Sequence, residues 1–337
     1  MNIAIIGCGL IGRKRALTLD NNEDKLVACC DTNLEIANKF SSEFNCIPFT
    51  DYKKLLKEAE CDSVVVAVIN KFAKEIVIDA LKRGKNVLAE KPLGRNVSES
   101  NEILQLYQNE VKNGQFAILK TGFNHRFHPA VWQAKQMVDE GKIGEIFNIR
   151  ARYGHGGRPG MEKEWRASKD LCGGGELLDQ GVHIIDLIQW FGGEVKEVFG
   201  KVETKFWNME VEDNAFAILK TLNEVTASFH VSWTNWKNIF SFEIFGTYGY
   251  LKIEGLGGSY GAESLEYGLR KKEGGVPYIE LVEYPTEDIS WKQEWIEFKN
   301  AIKEKREPVG SGLDGHRANE VIAAIYTSND EKRVITL

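Results

Sequence analysis

From Asn2 to about Gly122 the chain alternates short apolar runs with longer amphipathic ones. Ile3 to Ile6, Leu26 to Cys30, Ser63 to Ile69 and Asn86 to Ala89 have the length and β-branched content of buried strands. Leu34 to Phe44 and Lys71 to Arg83 space their apolar residues three and four apart, which predicts helices. Strands alternating with helices imply crossover connections and a parallel sheet covered on both faces.

The pattern changes after Phe123. One helix is expected over Pro129 to Glu140, then a glycine-rich, basic loop over Gly154 to Asp170 and a helical run from Gly175 to Phe191. Strand-like stretches follow without a long helix between them: Val195 to Phe206, Ala215 to Leu222, Thr226 to Ser232, Phe240 to Phe245 and Leu251 to Glu254. Such a succession predicts an antiparallel sheet. Helices are expected over Trp291 to Lys305 and Asp314 to Asn329. The fold class expected is therefore α/β, with a doubly wound parallel sheet over 1–122 and a second α/β domain with a mainly antiparallel sheet over 123–337.

Composition narrows the reading. The 337 residues, 43% hydrophobic and 27% charged, are of ordinary soluble type, and at roughly 100 to 200 residues per domain two domains are expected. A net charge of -6 offers no general positive field, so neither nucleic acid nor an anionic membrane is expected as a partner. The first apolar run ends at Gly7 and lacks a cationic lead, unlike a signal peptide, so a cytoplasmic location is expected. Six cysteines with no C-x-x-C pair read as reduced thiols, and no metal site is expected.

Gly7-Cys8-Gly9-Leu10-Ile11-Gly12 matches G-x-G-x-x-G where that motif has physical meaning, between an apolar strand and a helical pattern. The first glycine allows a tight turn, the second lets backbone approach a pyrophosphate, and the third lets helix and strand pack closely. Asp31 ends the second strand nineteen residues past Gly12, near the spacing of a carboxylate that accepts from an adenosine ribose. Its charge would repel a 2′-phosphate, which favours NAD, while the nearby cations Arg13 and Lys14 keep NADP open.

Glu90-Lys91-Pro92-Leu93 follows the strand Asn86 to Ala89, and carboxyl ends of parallel strands face the ligand crevice. Asp179 and His183 are spaced i, i+4 and share one face of the expected helix, beside an apolar stripe of Leu178, Val182 and Ile185. Such a pair can be structural, can hold a metal, or can do acid/base work; zinc would need a third ligand that no local pattern supplies.

Taken together, the glycine turn, Ala89-Glu90-Lys91-Pro92-Leu93, Gly122-Phe123-Asn124-His125-Arg126-Phe127 and Gly173-Gly174-Gly175-Glu176-Leu177-Leu178-Asp179-Gln180-Gly181-Val182-His183 resemble the Gfo/Idh/MocA oxidoreductases across nearly the whole chain. That family includes glucose-fructose oxidoreductase and inositol and nucleotide-sugar dehydrogenases. The resemblance implies a Rossmann domain followed by a substrate-binding and oligomerisation domain whose large open sheet pairs subunits in homodimers or homotetramers. It implies Lys91, Asp179 and His183 as catalytic residues. Gly7, Gly9, Leu10, Ile11, Gly12, Asp31, Asn70, Glu90 and Lys91 are the cofactor-binding candidates. One departure stands at Val68-Ile69-Asn70-Lys71-Phe72-Ala73, where the family more often carries Thr-Pro and a histidine.

The segment Arg150 to Arg166 concentrates cations and aromatics in an otherwise acidic chain. Guanidinium groups bind carboxylate or phosphate bidentately, so Arg126, His155, Arg158, Trp165 and Arg166 are the substrate-binding candidates and an anionic or nucleotide-linked sugar is the favoured substrate. The same arginines have acids at hand in Glu162, Glu164 and Asp170. The expected activity is transfer of a hydride between NAD(P) and a secondary hydroxyl of a sugar or inositol. The alternatives are a glycosidase that oxidises its sugar transiently with bound NAD, and a non-catalytic dinucleotide or metabolite sensor.

Overall fold

The computed structural model describes residues 1–20, 22–285 and 287–337, which form two compact units. The first comprises Met1–Phe123 and Trp291–Arg317, the second Asn124–Ser290 and Ala318–Leu337.

In the first unit β1 (Asn2–Ile6), β2 (Lys25–Cys30), β3 (Ile47–Phe49), β4 (Ser63–Val66), β5 (Asn86–Ala89) and β6 (Leu119–Thr121) form a parallel sheet in the order β3-β2-β1-β4-β5-β6. The helices α1 (Leu10–Leu17), α2 (Leu34–Phe44), α3 (Tyr52–Glu58), α4 (Asn70–Leu81) and α5 (Val97–Lys112) alternate with the strands. The central strands β1, β4 and β5 bury both faces, while the edge strand β3 is largely exposed. On β1, Ala4 and Ile6 pack with Leu55, Ile76, Val77 and Ile103, while Ile3 and Ile5 pack with Phe40, Trp295 and Phe298.

Trp295 and Phe298 lie on α9 (Ser290–Glu304), so this late helix completes a core begun three hundred residues earlier. A division at residue 122 with all later residues assigned to the second domain does not describe that return. The physical reason is that Trp295, Phe298 and Ala301 are all fully buried in the first unit's core. The indole N–H of Trp295 also donates to Asp24 at 2.7 Å.

The second unit holds α6 (Pro129–Asp139), β7 (Ile146–Gly154), the short α7 (Lys169–Cys172), α8 (Val182–Gly192) and then β8 (Val195–Glu203), β9 (Asn214–Thr221), β10 (Thr226–Ser232), β11 (Ile239–Gly246), β12 (Gly249–Glu254), β13 (Ser264–Leu269) and β14 (Tyr278–Glu283). After α10 (Gly312–Glu331), β15 (Ile335–Thr336) closes the order β14-β13-β12-β11-β7-β10-β9-β8-β15. The sheet is mixed rather than purely antiparallel, because β7 and β10 run parallel at its centre. Burial alternates along its strands, as in β10 where Ala227, Phe229 and Val231 are buried and Ser228 and His230 are not.

Candidate active site

The glycine turn follows β1 directly, and β1 and β4 are the neighbours at which the strand order reverses. Open α/β sheets bind ligands at that place. Gly7 has φ of +100°, and a Cβ there would lie 2.1 Å from the Ala67 carbonyl oxygen; one on Gly12 would lie 1.9 Å from the Gly7 oxygen. The chain's own packing thus explains these two glycines. It does not explain Gly9, where a Cβ would meet nothing within 4 Å.

Gly9 is also the N-cap of α1 and provides no side-chain cap, with Leu10 and Ile11 opening the helix. Helix N–H groups there suit a phosphate. The Asp31 carboxylate is held beside the turn, accepting from the Cys8 N–H at 3.1 Å and the Asn33 N–H at 3.0 Å. Room at Gly9, an uncapped helix start and a fixed carboxylate fit the pyrophosphate and ribose of a dinucleotide. Asn70 opens α4, just past the end of β4.

Lys91 follows β5, with Leu93 of the same segment fully packed in the core. Glu90, grouped with the cofactor contacts by sequence, is engaged differently. Its carboxylate accepts from Arg15 Nε at 2.6 Å, and Arg15 Nη1 lies 2.6 Å from Glu294 on α9. Burial works against the Arg15 charge but is outweighed by Glu294 and Glu90; burial also pushes the Glu90 carboxyl up, against Arg15. The Arg15 guanidinium stacks 4.4 Å from the Trp291 ring. Arg13, weighed as a phosphate cation, pairs with Glu43.

In the second unit the expected single helix from Gly175 divides into a π-helical turn, Leu177–Gly181, and α8. Asp179 lies in the π turn and His183 in the first turn of α8, so the two are not on one regular α-helical face. Glu212 holds the start of this turn. Its carboxylate accepts from the Leu177 N–H at 3.0 Å and the Tyr326 hydroxyl at 2.8 Å. A Cβ on Gly175 would lie 2.0 Å from the Glu212 carbonyl oxygen and one on Gly174 2.3 Å from the Tyr326 hydroxyl, which accounts for two of the three consecutive glycines.

His183 is buried, and its ring lies flat on that of His125, centroids 3.7 Å apart and planes 17° apart. Asp179 Oδ2 is 3.4 Å from Arg166 Nε, and the Arg166 guanidinium rests 4.4 Å from the Trp165 ring. Burial pulls the His155 imidazole below its usual range, with Asp179 opposing and Arg158 and Arg166 assisting. His155 Nδ1 accepts the Gly157 N–H at 2.9 Å, so the ring is held neutral at that nitrogen. Asp179, His155, Trp165 and Arg166 are therefore linked by contact and field.

Two other substrate candidates are taken up by carboxylates. Arg126 is buried and makes a bidentate pair with Asp186 at 2.8 and 2.6 Å, and Arg158 makes one with Glu164 at 2.8 and 2.6 Å. His125, which is not among the site candidates of the sequence, is the residue whose ring contacts that of His183; its place in the motif Asn124-His125-Arg126 is the sequence signal that points to it. Among the described residues no group of three metal-ligating side chains occurs and no helix is long and apolar enough to cross a membrane.

A six-stranded parallel sheet with a glycine turn at its switch point has the form of a dinucleotide-binding unit, and the second unit is built on a large mixed sheet. Residues 1–115 match the oxidoreductase family with an NAD-binding Rossmann fold, and residues 131–252 match the GFO/IDH/MocA C-terminal domain. The chain belongs to the Gfo/Idh/MocA family.

Among its relatives, levoglucosan dehydrogenase of Pseudarthrobacter phenanthrenivorans is 28% identical over 218 residues, 60% of this chain and 54% of that protein. Inositol 2-dehydrogenase 2 of Saccharopolyspora erythraea is 28% identical over 67% of this chain and 64% of its own length. The dTDP-3,4-didehydro-2,6-dideoxy-alpha-D-glucose 3-reductase of Actinomadura kijaniata is 30% identical over 67% of each. The chain thus spans between about half and two thirds of the length of these curated relatives. In structure, levoglucosan dehydrogenase in complex with NADH and levoglucosan superposes with a TM-score of 0.91 at 21% identity, over 100% of this chain and 99% of that one, a likeness of fold.

Proposed function

We propose that the protein is an NAD-dependent dehydrogenase that oxidises a secondary hydroxyl of a sugar or related polyol. The observation that carries this reading is a buried histidine, His183, next to the π turn that bears Asp179, in a chain whose other unit has a dinucleotide turn with room at Gly9. NAD, when bound, supplies the hydride acceptor. Gly9, the start of α1 and Asp31 hold the cofactor's phosphates and ribose, and the Asp31 charge selects NAD over NADP.

His183 takes the hydroxyl proton and Asp179 stabilises the imidazolium that results, and the family resemblance adds Lys91 as the third catalytic candidate. Asn70 is assigned to the cofactor side. Trp165 and Arg166 offer a flat, cation-edged surface to the sugar, with His155 beside them.

The pairings of the arginines bear on the charge of the substrate. Arg126 and Arg158 are each matched by a carboxylate and Arg166 lies against Asp179, so their fields are largely neutralised. This supports an uncharged sugar, such as an anhydrosugar, a glycoside or an inositol, ahead of the anionic or nucleotide-linked sugar that the bare sequence favours.

The test is NADH absorbance after mixing the protein and NAD with levoglucosan, methyl glucosides, inositols, uronates and nucleotide sugars. Net NADH on a neutral member is expected, with His183→Asn reducing turnover ~100- to 10,000-fold. An unchanged rate in that variant would sink the assignment of His183. Absence of NADH across the whole panel, with NAD bound, would favour internal recycling and direct the assay to glycoside cleavage.

A further inference from the structure

Resting on the reading of His183 as the proton acceptor, we propose that His125 is its positioning residue, fixing the plane of the His183 imidazole by face-to-face stacking. The helix backbone places the Cβ of His183, but the terminal torsion of a histidine is broad and roughly two-fold, so the backbone does not choose the ring plane. A neighbouring ring can. The two imidazoles lie 3.7 Å apart and within 17° of parallel, and both residues are buried, at 6% and 4% exposure.

His125 is itself fixed from several sides. Its Nδ1 is 3.2 Å from Asn124 Oδ1, and the Asn124 amide donates to Ser290 Oγ at 3.0 Å. The rings of Tyr153, at 5.2 Å, and Phe240, at 5.9 Å, meet it edge-on. His128 packs against it at 5.6 Å and is in turn held by Glu263 at 3.0 Å. His125 thus carries the rigidity of β7 and β11 to a side chain on α8. Misplacing a reacting group by about 1 Å can cost on the order of 100-fold in rate, which makes such a support worth having.

Two variants separate stacking from hydrogen bonding. His125→Phe keeps a ring but no polar atom; His125→Asn keeps a polar atom near the Nδ1 position but no ring. The primary readout is histidine Cε1 relaxation by NMR, which needs no substrate and is practicable because the chain has only six histidines. The order parameter of the His183 ring is expected to stay at the wild-type value in His125→Phe and to drop clearly below it in His125→Asn. On a sugar that the wild type oxidises, kcat should fall ~10- to 100-fold in His125→Asn with little change in KM, and should be restored in His125→Phe.

Equal ring mobility in the two variants, or the reverse order, overturns the proposal. Thermal melting of each variant distinguishes loss of the fold from loss of ring order, and a mobile His183 ring in a folded His125→Phe overturns the proposal by itself. Failure of the catalytic reading shows separately, as an active His183→Asn, and leaves the NMR result standing.

Discussion

At the scale of single residues, Asp31 and His155 each make a claim that can be measured. Asp31 lies beside the turn as a fixed carboxylate, where a 2′-phosphate would meet its charge. Two like charges a few ångströms apart near a protein surface repel by a few kcal/mol, so Asp31→Ser should shift the ratio of kcat/KM for NADP over NAD upward by at least about tenfold. An unchanged ratio removes Asp31 from cofactor selection. His155 predicts a pH effect on stability. Its folded pKa is lowered, chiefly by burial, below the unfolded value of about 6.5. Between the two values the unfolded chain binds more protons, so the stabilisation is present in full above about pH 6.5 and is lost as pH falls through the folded value. Protonation would also cost the bond from the Gly157 N–H. The melting temperature should therefore fall between pH 7 and pH 5, and fall less in His155→Asn, which does not titrate; His230, whose pKa burial also lowers, accounts for part of what is left. Equal pH dependence in the two proteins would exclude His155. The placement of the glycine turn after β1 and of Asp31 just past β2 was legible in the sequence because it is set locally. The acid that pairs with Arg158 was among those the sequence offered, six residues on at Glu164, whereas the ion pairs of Glu90 and Arg126 were not legible. Arg15 is 75 residues from Glu90 and Asp186 is 60 from Arg126, and nothing in an arginine's neighbourhood reveals whether a carboxylate elsewhere will neutralise it.

At the scale of elements, periodicity gave helix and strand types well wherever packing agreed with it. Leu34–Phe44 and Thr226–Ser232 have the bounds the pattern predicts. The π turn at Leu177–Gly181 was not legible, because an apolar run with helical spacing reads alike whether or not one residue is inserted. What selects it lies outside the run, in Glu212 and Tyr326 closing on a backbone kept bare by Gly174 and Gly175. The strand-end segment that carries Lys91 is similarly fixed from afar. Arg15 on α1 bridges Glu90 after β5 and Glu294 on α9, with Lys120 3.5 Å from Glu294. Removing one partner of a buried ionic cluster leaves uncompensated charge, and Arg15→Met would leave two carboxylates facing each other. That variant should be destabilised by about 3 to 5 kcal/mol in chemical denaturation. The double variant Arg15→Met, Glu90→Gln should recover part of the loss, because it removes one of the stranded charges. A single variant as stable as the wild type would mean that the network does not hold these elements together.

At the scale of the whole molecule, the change of texture near residue 122 marked two units, but an amphipathic helix does not name the core it joins, and Trp291–Arg317 returns to the first unit unannounced. The sequence likewise shows that strands β8 to β10 alternate without showing what covers their outer face. That face is not simply polar. Phe199 on β8 stands in register with Ile218 on β9, and Phe216 stacks on His230 of β10 with planes 2° apart at 4.0 Å. Phe199, Phe216 and Ile218 are each about half exposed and line a groove of about 630 Å³ with Arg152, Lys201 and Glu243. Contiguous apolar surface rimmed by charge on a sheet face marks an association site. Cations at Arg152 and Lys201 together with an acid at Glu243 would let the same patch meet itself about a two-fold axis, which is how most homo-oligomers are built. The family resemblance implies that copies of the chain pair through the open sheet, and this exposed row is where such a contact is expected. The 38.0 kDa chain should sediment as a dimer or a tetramer. Ile218→Glu places one charge on each side of a two-fold contact, so it should shift the protein to monomer at micromolar concentration while NAD binding, a property of the first unit, is retained. A wild-type protein that sediments as a monomer, or an Ile218→Glu variant with unchanged assembly, would leave the exposed row of Phe199, Phe216 and Ile218 to another partner.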